Sequence, residues 1–245
     1  MIIDIDIGNT RAKYRLIQGD LVADRGPTQV CAHADLLSAL RTFSLQDVTA
    51  IRIASVAARD IAEAIKRDIE QHSSAKIILV NSTTQCAGVT NSYAEPHRLG
   101  VDRWLAMLAA HNRWRSPCII VDAGSALTLD VVDASGVHQG GWIVPGLAML
   151  RSALVAGTAG VRFDAGIASS LSLGCSTADA VHNGTLSMTV AWLNTSVAAQ
   201  LEKYEGTHIV LCGGDANQVR SYLSFDALDW PDIVLDGLAL IPLGD

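Results

Sequence analysis

Two stretches decide how this chain is read: IIDIDIGNTRAKYRLIQG at residues 2–19 and CIIVDAGSALTLDVVDASG at residues 118–136. Each begins as an apolar run, reaches an Asp-x-Gly, passes two small or polar residues and resumes as an alternating segment that ends in a turn. Superposing Asp6 on Asp122 brings Gly8 onto Gly124 and Asn9 onto Ser125. The copies lie 116 residues apart (122 − 6), close to half of the 245-residue chain. A repeat of that length predicts two similar domains, 1–115 and 116–245, facing each other across a cleft. It also raises a question of chemistry, because Asp4 and Asp6 fall in a segment patterned as a buried strand. Buried carboxylates need a partner or a cation.

Away from the hairpins, strand and helix patterns alternate. Residues 34–40 read as a helix, 50–56 (AIRIASV) as a strand, 59–72 as a helix and 76–80 (KIILV) as a strand. This alternation predicts an α/β fold. A polar, punctuated stretch at 83–100 precedes a helix expected over 102–114, with Leu105, Leu108 and Ala109 on one face. In the second half, GGWIVPG (140–146) reads as a strand and 177–193 and 195–204 as two helices. HIVLCGGDA (208–216) reads as a strand entering a Gly-Gly turn.

Composition narrows the function classes. Hydrophobic residues make up 49% and charged residues 18%, enough apolar material for packed cores and too much for a disordered chain. The formal net charge of −7 predicts no nucleic-acid partner and no anionic membrane surface, so an anionic ligand needs local donors. The weakly charged stretch 134–150 is broken by Gly136, Gly140, Gly141, Pro145 and Gly146, which excludes a membrane helix there. Asp4 and Asp6 stand where a secretory leader carries positive charge, and the five cysteines show no C-x-x-C, so a cytoplasmic protein with free thiols is expected. The seven histidines show no zinc-ligand spacing.

The first hairpin has the parts of a phosphate site. Gly8 permits a positive φ and close backbone approach, and the N–H groups of Asn9 and Thr10 can point at anionic oxygens. Asp6 would repel a phosphate, so a cation or ordered water must intervene. Strand alternation sets Arg11, Lys13 and Arg15 on one face, and any of them could neutralise a polyphosphate. An ordinary Asn-containing hairpin turn explains the same residues, but its recurrence at Asp122 favours a nucleotide site. Neither G-x-x-x-x-G-K-[ST] nor G-x-G-x-x-G occurs.

DIGNT, DAGSALTLD and CGGDA together resemble the superfamily of acetate and sugar kinases, heat-shock chaperone ATPases and actin. That resemblance implies two duplicated ribonuclease-H-like domains with mixed sheets flanked by helices. ATP would lie in the cleft between them, with Gly213-Gly214 approaching the adenosine. LGVDRW (99–104), preceded by Asn91, Tyr93 and Pro96, is similar to type III pantothenate kinase, as are GGWIVPG and STADA (176–180). The resemblance spans nearly the whole chain and implies an ATP-dependent kinase that phosphorylates pantothenate in the first step toward coenzyme A. It further implies a homodimer. Asp102 would be the proton acceptor for the pantothenate hydroxyl. Gly100, Val101 and Arg103 would line the substrate pocket, and Tyr93 and Thr177 would contact pantothenate. Asp6, Ile7, Gly8, Asn9, Thr10, Arg11 and Lys13 would bind ATP, as would Ser125. Asp122 would hold a monovalent cation, K⁺ or NH₄⁺, and Mg²⁺ would arrive with ATP. The second hairpin departs from the family pattern, with Ser125 where Thr is usual; the hydroxyl is kept.

Plainer readings accompany four of these residues. Asp102 could be the N-cap of the helix after it, Thr177 the cap of another helix, Arg103 a solvated surface residue and Tyr93 a core aromatic. A phosphatase or exopolyphosphatase on the same fold, or a non-catalytic nucleotide-binding regulator, would keep the hairpins but leave LGVDRW without a purpose.

Overall fold

The computed structural model of the chain describes residues 1–19, 25–43, 45–56, 59–163 and 170–244. In chain order its elements are β1 (Ile2–Ile7), β2 (Ala12–Ile17), β3 (Gln29–Cys31), α1 (His33–Leu40), β4 (Ala50–Ser55), α2 (Arg59–His72), β5 (Lys76–Val80), β6 (Gln85–Cys86), β7 (Val89–Thr90) and α3 (Val101–Trp114). There follow β8 (Cys118–Ala123), β9 (Ala126–Val132), β10 (His138–Pro145), α4 (Leu147–Gly157), α5 (Thr177–Leu201), β11 (His208–Cys212), α6 (Ala216–Arg220), β12 (Leu228–Asp229) and α7 (Ile233–Leu238). Short 3₁₀ turns cover Leu45–Asp47 and Pro96–Arg98.

The chain divides into two compact units. The first holds Met1–Arg115, Gly136–His138 and Asp232–Asp245; the second holds Ser116–Ser135 and Gln139–Pro231. Their sheets share one plan. The first runs β3-β2-β1-β4-β5 and the second β10-β9-β8-β11-β12. In each, a hairpin pairs antiparallel (Asp6 opposite Lys13; Asp122 opposite Thr128), and two further strands add in parallel beside its first strand. The duplicated motif of the sequence is therefore a duplicated sheet.

In the first unit, Ile3, Ile5, Ile7, Ile51 and Ile53 send alternate side chains onto one sheet face, where α1 and α2 cover them with Leu36, Leu40, Ile65 and Ile69. Each such side chain contributes about 1.5–3 kcal/mol by leaving water. The other face carries Asp4, Asp6 and Arg52 and packs on α3 and α7. Ten residues of α3, from Val101 to His111 but for Asp102, are buried. The helix meets α7 at close range, because a Cβ on Gly237 would overlap the Leu105 carbonyl. In the second unit, Ile119, Val121, Leu129, Leu186, Leu193 and Leu211 form the core between the sheet and α5.

The two helices read at 177–193 and 195–204 are a single helix, α5, of 25 residues. Asn194, which stands between the two expected helices, is used in tertiary bonding. Its side-chain amide donates to the Tyr222 carbonyl at 3.3 Å, and its oxygen accepts from Ser224 N–H at 2.9 Å. A polar side chain with partners outside the helix does not compete for the helix backbone. Sequence patterning also passed over α4, α6, α7 and the short edge strands β3 and β12.

Candidate active site

In the first unit the β1–β2 turn is tight. Gly8 N–H donates to the Arg11 carbonyl at 3.0 Å, leaving Asn9, Thr10 and Arg11 exposed at the tip. Gly8 does not take the positive φ anticipated for it; the crowding is local, since a Cβ would lie 3.2 Å from the Arg11 carbonyl oxygen. His33, at the start of α1, places Nε2 2.9 Å from the Gly8 carbonyl and braces the turn from outside the hairpin. Ile7 is buried beneath it, while Asp6 is half-buried opposite the half-buried Lys13. Arg15 is removed from the candidate phosphate ligands: it is 3% exposed, and its guanidinium bonds to the Asp236 carboxylate and the Leu235 carbonyl. Arg11 and Lys13 are the cations this hairpin can present.

The start of α3 forms a second cluster in the same unit. Gly100, not Asp102, is the N-cap, and it brings no side-chain cap bond. Asp102 sits in the first turn and accepts a hydrogen bond from Arg103 N–H at 2.8 Å. The positive end of the helix dipole stabilises an anionic carboxylate there. A Cβ on Gly100 would lie 2.7 Å from Asp102 Oδ1, so the missing side chain makes room for the carboxylate. Arg103 is 6% exposed, which removes the surface-arginine reading, and its Nη1 donates to Tyr93 Oη at 3.1 Å. Tyr93 is held through its backbone, whose N–H donates to Asn91 Oδ1 at 3.0 Å. Asn91 Nδ2 in turn donates to the carbonyls of Thr83 and Pro96. The polar stretch at 83–100 is thus an ordered loop fixed by side-chain-to-backbone bonds. Val101 is buried, 8% exposed.

Two residues of this cluster escaped sequence reading. His138 Nδ1 lies 3.1 Å from Ser92 Oγ, and its ring stacks on that of Tyr93 with centroids 6.0 Å apart and planes at 17°. No motif signals this, because His138 is 45 residues downstream of Tyr93 (138 − 93).

The second unit builds its own site around the β8–β9 turn. Gly124 N–H donates to the Ala126 carbonyl at 3.0 Å and leaves Ser125 exposed. Gly213 adopts φ 95°, the left-handed region that favours glycine, and a side chain there would run into the Ala123 backbone and the Asp122 carboxylate. Asp215 N–H donates to the Ala123 carbonyl at 2.8 Å, and Gly146 N–H to the Ser125 carbonyl at 3.2 Å. The hairpin turn, the Gly213-Gly214 turn and the start of α4 thereby converge on a small cavity lined by Ala123, Gly124, Gly146 and Asp215. Burial pushes the Asp215 carboxyl above its ordinary value, against the pull of Arg151 and a hydrogen bond from Gln218. Burial likewise lowers Arg151, and Asp215 partly restores it. Thr177 is the exposed first residue of α5, capped by Ser176, whose Oγ accepts from Asp179 N–H at 3.1 Å.

The structure therefore gathers Asp6–Lys13 into one turn and joins Tyr93 to Arg103 beside Asp102 in the first unit; Asp122, Ser125 and Thr177 belong to the second. Among the described residues, no three His, Cys, Asp or Glu side chains cluster as a metal site. Asp122 supplies one carboxylate against the backbone of Ala123 and Gly213. That donor set fits a hard cation completed by carbonyl and water oxygens, and it does not fit zinc.

Against known families, residues 2–199 match the model of type III pantothenate kinase. The chain belongs to the type III pantothenate kinase family. Curated relatives of that name agree over almost their full length. The type III pantothenate kinase of Alcanivorax borkumensis is 37% identical over 239 residues, covering 97% of each chain. That of Pseudomonas aeruginosa strain LESB58 is 37% identical over 247 residues, covering 98% of each. Among solved structures, a protein assigned to a Baf family of transcriptional activators from Campylobacter jejuni superposes with a TM-score of 0.57 at 21% identity, covering 96% of this chain and 94% of that one. The component A of (R)-2-hydroxyglutaryl-CoA dehydratase from Acidaminococcus fermentans does so with a TM-score of 0.50 at 14% identity, covering 98% and 95%. These two likenesses speak for the fold alone. For the type III pantothenate kinase family, then, this chain supplies the duplicated sheets and both Asp-x-Gly hairpins.

Proposed function

We propose that the protein transfers the γ-phosphoryl group of ATP to the primary hydroxyl of pantothenate, giving 4'-phosphopantothenate for coenzyme A synthesis. The observation that carries this reading is the start of α3, where Asp102 lies in the first turn beside a buried Arg103 bonded to Tyr93. Phosphoryl transfer passes through a loose transition state that asks for positioning and charge neutralisation more than for a strong base. Asp102 orients the attacking hydroxyl and accepts its proton as the bond to phosphorus forms. Arg103 pairs with the pantothenate carboxylate, and the Tyr93 hydroxyl, with Gly100 and Val101, shapes the pocket. Thr177 adds a hydroxyl contact to pantothenate.

The first hairpin holds the phosphates through the backbone at Asn9 and Thr10, with Arg11 and Lys13 neutralising charge, and Asp6 would help hold the Mg²⁺ that accompanies ATP. Ser125 contacts ATP from the second hairpin, and Asp122 holds K⁺ or NH₄⁺. When bound, that cation would supply positive charge beside the phosphates, and the single carboxylate of Asp122 is what supports the assignment. A homodimer is part of the proposal. Its support is a set of exposed apolar side chains on the second unit, including Trp142, Ile143, Met149 and Met188. Five free cysteines support a reducing, cytoplasmic setting.

Purified protein incubated with ATP, Mg²⁺, K⁺ and pantothenate is expected to yield phosphopantothenate. Replacing K⁺ by Na⁺ is expected to weaken ATP binding. Absence of product with K⁺ or NH₄⁺ would overturn the reading, and unchanged ATP affinity in Na⁺ would remove Asp122 from the cation site.

A further inference from the structure

We propose that His138 is a positioning residue for pantothenate binding, an inference that rests on the pantothenate reading of Tyr93 and Arg103. His138 is 1% exposed and makes two distinct contacts with one short loop. Its ring lies nearly parallel to that of Tyr93, and its Nδ1 is within hydrogen-bond distance of Ser92 Oγ. The segment that carries it is tied to the same region, since Thr90 N–H donates to the Gly136 carbonyl at 2.8 Å and Thr90 bridges to Val137. The stack fixes the plane of the Tyr93 ring, and the ring fixes its hydroxyl. The hydroxyl accepts from Arg103 Nη1, so the guanidinium that would meet the substrate carboxylate is oriented in part through the ring that His138 stacks on. Offset stacking of two aromatic rings at this centroid distance is a favourable geometry.

The test separates the two contacts. His138→Phe keeps the stack and loses the bond to Ser92, whereas His138→Asn keeps a polar partner for Ser92 and loses the ring. Steady-state kinetics on both, beside wild type, read KM for pantothenate, KM for ATP and kcat, with thermal unfolding recorded for each. In His138→Asn, KM for pantothenate is expected to rise about tenfold, the weight of one aromatic pair, with KM for ATP and kcat unchanged. In His138→Phe, it is expected to stay within about threefold of wild type. A merely structural role would lower kcat or raise both KM values together, and that result overturns the inference. So does His138→Asn behaving as wild type. Should His138→Asn fail to fold, His138→Phe carries the test, and a tenfold rise there overturns the inference because the stack is kept. A wild-type protein that makes no phosphopantothenate overturns the pantothenate reading and this inference with it. An active wild type with an unmoved His138→Asn overturns this inference alone.

Discussion

Arg52 holds Asp4 with both arms of its guanidinium, Nε to Oδ1 at 2.7 Å and Nη2 to Oδ2 at 3.0 Å, and neither residue is exposed to solvent. Its Nη1 reaches on to the carbonyls of Ala239 and Ile241, both at 3.0 Å, so this pair also anchors the chain after α7. Burial pushes the Asp4 carboxyl upward and the bonds to Arg52 pull it back. Two carboxylates on one strand face have therefore been put to different uses. Asp4 is structural, and Asp6 stands half-buried at the turn.

Asp4→Ala leaves a buried arginine unpaired and is expected to cost about 3–5 kcal/mol of stability, read by chemical or thermal unfolding. Asp6→Asn is expected to leave unfolding nearly unchanged while weakening ATP binding. The reverse pattern would mean the two assignments are exchanged.

Gly100→Ala tests the room made for Asp102. The added methyl would meet the Asp102 carboxylate at 2.7 Å and must displace it. Because the clash falls on the end of one side chain, the melting temperature should barely move. Turnover should fall by about 10²-fold, the scale of an ångström-sized misplacement at a reacting group. Full activity in Gly100→Ala would show that the carboxylate position is not critical.

Asp215 gives a pH prediction. Its carboxyl is raised above the ordinary 3.8 chiefly by burial, so the folded state holds this proton more tightly than the unfolded state. Stability is accordingly lost as pH rises from 3.8 through the raised folded value. Asp215→Asn should therefore melt above wild type at pH 7, and its advantage should shrink as pH falls toward 3.8. An advantage independent of pH would assign the effect to packing.

The thiols should react unequally. Burial pushes Cys118 up to about 12, and Cys212 is buried as well, whereas Cys175 is exposed. Iodoacetamide at pH 8 is expected to label Cys175 in the native protein and to spare Cys118 and Cys212 until denaturant is added. Rapid native labelling of Cys118 would show that β8 opens.

Much of this architecture was legible in the sequence because it is local. The alternation of Ile3, Ile5 and Ile7 against Asp4 and Asp6 encodes a strand with one apolar face, and its recurrence at Ile119 and Val121 encodes the duplication. The helix at 59–72 and the strand at 76–80 follow from periodicity alone. What escaped depends on partners distant in the chain. Arg15 looked like one more cation beside a phosphate turn until α7 supplied Asp236, 221 residues away. The continuity of α5 through Asn194 rests on Tyr222 and Ser224, which bond its side chain from 28 and 30 residues away. His33 and His138 carry no local pattern, since each acts by bracing a loop built elsewhere. Within the candidate site, LGVDRW was conspicuous, but the bond from Arg103 to Tyr93 exists only once the 83–100 loop is ordered.

The central claim is that Asp102 accepts the proton of the pantothenate hydroxyl during transfer from ATP. Its most direct test is single-turnover phosphopantothenate formation by Asp102→Asn beside wild type, under saturating ATP, Mg²⁺, K⁺ and pantothenate. The expected result is a rate lower by about 10²-fold or more, with ATP affinity and melting temperature preserved. An Asp102→Asn protein that forms phosphopantothenate at the wild-type rate would contradict the account.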